Sequence, residues 1–109
     1  MTKIEIFRKN QSIVGYKASG HSGYAEEGSD IICASISTAL QMVLAGIQER
    51  LNLNPIVKID DGFLDVSLRN IEKSKFNEID ILTETMFIFL KELTKQYPKY
   101  IKLVEKEDK

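Results

Sequence analysis

One segment, Asp30–Leu51, constrains this chain more than any other. Ile32, Ile36, Leu40, Val43, Ile47 and Leu51 recur at spacings of three and four, the period of one helix face. Ile31, Ala34, Ala39, Met42 and Leu44 widen the apolar stripe most of the way round. A helix so apolar must be covered on more than one side, which makes it the centre of the domain. Asn52, Asn54 and Pro55 in "LNLNP" then stop it.

On either side of that helix the period changes from 3.6 to two. Lys3–Arg8 places Ile4 and Ile6 on one face and Lys3 and Glu5 on the other, a half-buried strand. After the polar turn "KNQS", "IVGYKAS" returns with Val14, Tyr16 and Ala18 in register, so the two runs form a hairpin. "IVKIDDGFLDVSL" is a second hairpin around Asp-Gly, a dipeptide suited to tight turns. A second helix is expected from Ser74 to Tyr97, with Phe76, Ile79, Leu82, Met86, Leu90 and Leu93 in a stripe and Pro98 ending it. "YIKLVEK" supplies a last strand, and "EKEDK" reads as a charged tail. The order is ββαββαβ: one α+β domain over residues 1–109, with an open mixed sheet, a central helix and a second long helix.

Composition narrows the function classes. The 109 residues suffice for one core, and a hydrophobic share of 43% is that of a globular chain. Fifteen Lys and Arg against sixteen Asp and Glu argue against a protein built to neutralise phosphates, so no direct nucleic-acid partner is expected. The apolar-rich segments are interrupted by polar residues, and no pure span of about 20 apolar residues is seen, so no membrane partner is expected either. A single cysteine excludes an internal disulfide, and "MTKIEIFRK" resembles a strand rather than a signal peptide; both suggest the reducing cytoplasm.

"GHSGYAEEGSDIICASIST", Gly20 to Thr38, contains the only histidine and the only cysteine, twelve residues apart. Cys33 is expected in the first turn of the central helix, capped by Ser29 or Asp30, where free N–H groups and the helix dipole favour a thiolate. His21 has the chemistry of a proton acceptor, and Gly20 beside it permits unusual backbone angles. Amides near Cys33 are candidates for an oxyanion hole, and Ser37, one turn along, for a hydrogen bond to the reacting group or to a substrate carbonyl. Asp30 is read as a cap or as an orienter of His21, and Gly23 and Gly28 as ends of a closing loop. Each residue also has a plainer reading: a small buried cysteine, a loop histidine, helix residues satisfying local bonds, turn glycines. Redox sensing by an easily ionised thiol is a third possibility. The residues alone leave these open. A metal site is not expected, since one Cys and one His fall short of the usual four ligands even with Glu26, Glu27 or Asp30 nearby. No Gly-Lys-Ser/Thr follows the glycines, and no cofactor is expected.

Taken as a block, this stretch resembles the signature of the bacterial ribosomal-processing cysteine proteases, the Prp family. The pattern is Gly-His, a small residue, Gly-Tyr-Ala, a short acidic loop, Asp-Ile-Val-Cys-Ala, and a Ser four residues past the Cys. The match covers about twenty residues unbroken, and the chain's length, element order and Asp-Gly hairpin agree with it. The resemblance implies a cysteine endopeptidase that removes the N-terminal extension of large-subunit ribosomal protein twenty-seven, cutting after an aromatic-ended hydrophobic stretch. It implies His21 and Cys33 as the catalytic pair, Gly20, Asp30 and Ser37 as supporting positions, and a homodimer of α+β fold. Tyr24 is expected to pack against the substrate's aromatic residue. Ser22 stands where alanine is frequent and Ile32 where valine is commoner, and neither change removes a reacting group. The alternative is a non-catalytic ribosome-assembly or partner-binding module with a structural cysteine.

Overall fold

The structure, a computed structural model, describes residues 1–20 and 27–108, with residues 27–30 as backbone. Strands β1 (Thr2–Lys9) and β2 (Ser12–Ser19) pair antiparallel, with Lys9 opposite Ser12. The turn between them is therefore two residues, Asn10 and Gln11, both left-handed at φ 52° and 71°. That geometry matches the right-handed twist of paired strands, and here it is reached without glycine.

A bulge between Phe7 and Arg8 shifts the register, so that Arg8 faces Ile13 and Val14 is left over. The even alternation expected for Val14, Tyr16 and Ala18 therefore breaks at its first member. Ile13 enters the core, while Val14, though buried, stands outside the main cluster.

Helix α1 (Glu27–Ala45) follows and runs into a π-helical turn, Gly46–Arg50, closed by the Leu51 N–H donating to the Gly46 carbonyl at 3.0 Å. The hairpin β3 (Ile56–Asp60) and β4 (Phe63–Ser67) turns through Asp61–Gly62, where only Gly62 is left-handed, at φ 68°. A 3₁₀ turn, Lys73–Lys75, leads into α2 (Phe76–Gln96), and β5 (Ile101–Glu107) closes the chain.

The sheet order is β3-β4-β2-β1-β5, antiparallel except for the β1–β5 pair, so the expected ββαββαβ order and mixed sheet are found. Ile4, Ile6, Tyr16, Ala18, Leu64 and Val66 lie in register on one face and form a single core with Ile32, Ile36, Leu40, Ile47, Ile79 and Leu90 of the helical layer. The Tyr16 hydroxyl donates to the Leu40 carbonyl at 3.1 Å, pinning α1 to the sheet centre, and burial pushes its ionisation well above the usual phenol range.

Two expectations change. The charged tail is largely strand: β5 pairs with β1 as far as Arg8 opposite Glu107, and the Asp108 N–H donates to the Arg8 carbonyl at 2.7 Å. Arg8 also bridges Glu84 of α2 and Glu105 of β5, each at 2.7 Å. Second, Ile31–Arg50 is long and apolar enough by length and composition to cross a bilayer, with a mean hydropathy of 1.7. Purity of the segment alone was too strict a criterion. Its packing identifies it as a core helix, because Ile32, Ile36, Leu40, Val43, Leu44 and Ile47 are all buried in the domain's own core.

Candidate active site

The site is assembled where the end of β2, the start of β1 and the β3–β4 turn meet one face of α1. β2 ends at Gly20, whose N–H donates to the Gly62 carbonyl at 3.0 Å. Gly20 has φ +85°, and a Cβ there would lie 2.8 Å from the Met1 carbonyl oxygen. Both facts require glycine at the residue that immediately precedes His21.

Across from it, Cys33 is half-buried on α1, with Sγ 3.4 Å from the Thr2 hydroxyl. Ser37 follows one turn along the same face and accepts a hydrogen bond from Gln41 Nε2 at 2.6 Å. Accepting that bond engages one lone pair of the hydroxyl and leaves its proton available to donate.

These residues border a cleft of about 210 Å³, whose walls are Thr2, Gly20, Cys33, Ser37 and Gln41 together with the apolar Ile36, Leu40, Ile59, Phe63 and Leu64. Asp60 and Gly62 of the hairpin complete the rim. Asp60 has a turn role, accepting from the Asp61 N–H at 2.8 Å, but it also reaches the cleft, which the turn alone did not suggest. A larger hollow, about 630 Å³, lies between α1 and α2 and is walled by Ile31, Ala34, Met42, Val43, Met86 and Phe89 with three hydroxyl side chains. Among the described residues its walls carry no titratable group, whereas the smaller cleft has the sulfur of Cys33.

The structure thus brings Gly20, Cys33 and Ser37 to one place. His21, Tyr24 and the Asp30 side chain lie outside the described residues. It also corrects the surroundings expected of Cys33. Because α1 begins at Glu27, Ser29 and Asp30 are inside the helix rather than capping it, and Cys33 stands in the second turn. An α-helix leaves only its first four N–H groups without an intrahelical partner, and the pull of its dipole fades beyond the first turn. The Cys33 amide is therefore part of the i→i−4 ladder, and helix-start amides do not provide the oxyanion site directly beside the sulfur. The expectation failed because an acidic, glycine-containing loop offers several possible start points, and the chain is already helical at Glu27, four residues before Ile31, the first apolar position.

Thr2, Gln41, Ile59 and Phe63 were not singled out from sequence. Thr2 did carry a signal: it occupies an inward position of β1, two before Ile4 and four before Ile6, where the pattern calls for an apolar side chain.

A family model described as "Cysteine protease Prp" matches residues 1–102. No match was found among curated proteins. Among solved structures, SMU.848 of Streptococcus mutans is 20% identical, with TM-score 0.90 over 99% of this chain and 96% of that one. The essential ribosomal processing protease Prp of S. aureus, in complex with a substrate peptide, is 22% identical, with TM-score 0.85 over 97% and 100%. The same S. aureus protease with a covalently linked product peptide gives TM-score 0.75 at 23% identity over 97% and 100%. At these identities the structural likeness is one of fold, and the family match carries the assignment. With that match running from the first strand into the last, and with the only cysteine half-buried at the wall of this cleft, the chain belongs to the Prp family of cysteine proteases.

Proposed function

We propose that this chain is a cytoplasmic processing endopeptidase, and that its substrate is the precursor of large-subunit ribosomal protein twenty-seven, from which it removes the N-terminal leader. The observation that carries this reading is the shared cleft: the Cys33 sulfur, the Ser37 hydroxyl and Gly20, next in sequence to His21, line one depression with apolar walls. Ile36, Ile59, Phe63 and Leu64 offer a hydrophobic surface to the aromatic-ended stretch before the cut.

In the proposed mechanism, His21 takes the proton of Cys33 and the thiolate attacks the scissile carbonyl, forming the S–C bond as the carbonyl π pair moves to oxygen. The Ser37 hydroxyl donates to that oxyanion or to a neighbouring substrate carbonyl. Collapse breaks the C–N bond while His21 returns its proton to the departing amine. Water, deprotonated by His21, then attacks the thioester and releases the leader and the thiolate. Tyr24 and Asp30 are assigned to the substrate's aromatic residue and to the orientation of His21.

The test is cleavage of a leader-containing peptide by wild type, Cys33→Ala, Cys33→Ser and His21→Ala. Loss of about 10⁴-fold or more in kcat is expected for the alanine variants. Wild-type cleavage by Cys33→Ala would end the assignment of the nucleophile. We also read the protein as a homodimer. Support comes from the helical layer, where Ile31, Met42, Ile88 and Phe89 are 67%, 68%, 67% and 45% exposed, more apolar surface than single scattered residues leave. Sedimentation of wild type against Met42→Glu checks this: the variant should sediment as a monomer, and a monomeric wild type refutes it.

A further inference from the structure

We infer that the hydroxyl of Thr2, at the very start of β1, is the hydrogen-bond donor that holds and stabilises the Cys33 sulfur in its reactive form. This deepens the proposed function and rests on Cys33 being the nucleophile.

Thr2 is 5% exposed and its Oγ1 lies 3.4 Å from Cys33 Sγ. Its backbone is fixed from both sides. The Thr2 N–H donates to the Tyr100 carbonyl at 2.9 Å, and the residue stands opposite Ile101 in the parallel β1–β5 ladder. Its neighbour Met1 presents its carbonyl to Gly20, and its other neighbour Lys3 stands opposite Ser19, so Thr2 is wedged beside the end of β2. The side chain therefore has little freedom, and among the described residues its hydroxyl is partnered by the sulfur. A threonine in an inward strand position displaces an apolar side chain from the core, and in return its hydroxyl reaches the cleft.

The polarity of this contact depends on the state of the sulfur. In the thiol, either atom can donate. In the thiolate the sulfur has no proton, so the hydroxyl must donate, and a weak neutral bond becomes a charge-assisted one. When the sulfur becomes a thioester it loses its negative charge and the bond weakens, and it returns when water releases the thiolate. Since Cys33 lies beyond the first turn of α1, where the dipole has faded, a donor from the sheet supplies what the helix start does not.

The consequences separate a donor from a mere packing residue. Hydrogen bonds to charged groups are strong enough that losing one should move the alkylation profile about one pH unit upward. A more basic thiolate is also a better nucleophile, with a Brønsted slope of about 0.4–0.5, so the plateau rate at high pH should rise about threefold. On the acid limb the two effects leave a net loss of about threefold. A structural defect that only changes access to the sulfur would scale the rate by one factor at every pH and leave the midpoint unmoved.

The experiment measures iodoacetamide alkylation of Cys33 against pH in wild type, Thr2→Val, Thr2→Ala and Thr2→Ser, with leader-peptide cleavage alongside. Thr2→Val keeps the β-branch and removes the donor, Thr2→Ala removes it with less bulk should valine fail to fold, and Thr2→Ser restores it. The inference requires the upward shift and the raised plateau in the Val or Ala variant, with a wild-type midpoint in Thr2→Ser. Superimposable profiles for wild type and the folded donor-less variant overturn it, as does a Ser profile that follows valine. Alkylation is read without substrate, so this outcome is distinct from cleavage surviving in Cys33→Ala, which would overturn the functional reading instead.

Discussion

Replacing Gly20 by alanine should damage both stability and catalysis, and by amounts the geometry allows one to work out. Gly20 sits at φ +85°, and a Cβ there would approach the Met1 carbonyl oxygen to 2.8 Å. A left-handed conformation costs an L-residue about 1–2 kcal/mol, and relieving the contact by moving β1 adds a similar amount. Alanine recovers about 0.4–1 kcal/mol by restricting the unfolded chain. The net loss is about 1–3 kcal/mol. For 109 residues the unfolding entropy makes each kcal/mol worth about 4 °C, so Tm should fall by about 4–12 °C in a thermal melt. The variant stays folded at 25 °C, and its activity there isolates the second effect. Gly20 is tied to the Gly62 carbonyl at 3.0 Å and borders the cleft beside Cys33, so its displacement misplaces the residue that follows it, the proposed base. Misplacements of about 1 Å cost on the order of 100-fold, and kcat for leader cleavage should fall by about 10–100-fold. Ser19→Ala, one residue earlier and opposite Lys3, is the control and should change stability by no more than about 0.5 kcal/mol. A Gly20→Ala protein with the control's Tm refutes the steric argument, and one with wild-type kcat refutes the claim that this strand end positions the site.

Gln11→Gly should stabilise the protein by about 0.5–1 kcal/mol, seen as a higher urea midpoint with unchanged cleavage, because Gln11 is held at φ 71° in a two-residue turn that favours glycine. Ser37→Ala should lower kcat by about 10–100-fold with little change in KM if its hydroxyl meets the transition state, and a raised KM with unchanged kcat would make it a binding residue. Tyr16→Phe should cost about 0.5–1.5 kcal/mol through the lost bond to the Leu40 carbonyl and should delay alkaline unfolding. The phenol's ionisation is raised by burial, so wild-type stability is intact below the unfolded value near 10 and declines above it, a decline phenylalanine removes. Glu5 is held below its usual 4.5 by its hydrogen bond to Lys106 at 2.7 Å. Its contribution is therefore present above that value and lost as pH falls through the lower folded one. Lys106→Gln should be less stable than wild type at neutral pH by no more than about 1 kcal/mol, and the gap in urea midpoints should close in acid.

The elements were legible because their periods are unambiguous. Ile79, Met86, Leu90 and Leu93 lie buried on α2 as their spacing requires, and Ile4 and Ile6 face the core together. What failed were boundaries and local pairings. Val14 shares its parity with Tyr16, but one bulge, invisible to hydrophobic alternation, gives the core to Ile13. The last charged residues looked like a tail because strand propensity is weak in Glu and Lys, yet the parallel ladder with β1 and the Arg8 bridges draw them into β5. At the site, the block from Gly20 to Ser37 was visible because its members are close in sequence. Phe63 and Ile59 were not, since they enter through the sheet order β3-β4-β2, which sets a later hairpin beside the end of β2.

Thr2 shows where a bottom-up reading gains most. The buried polar or charged residues among those described are Thr2, Glu5 and Thr83. Thr83 is answered within its own helix, its hydroxyl donating to the Ile79 carbonyl at 3.2 Å, as threonines in helices commonly do. Glu5 faces away from the helices and is paired with Lys106. Neither partner has any part in a reaction. Thr2 alone puts its polar atom on the sulfur of the only cysteine. A buried polar group that costs core contacts and is satisfied only by a reactive side chain points to chemistry rather than to folding. That asymmetry makes the first strand part of the site, and it places the donor to Cys33 on the sheet rather than on the helix that carries the cysteine.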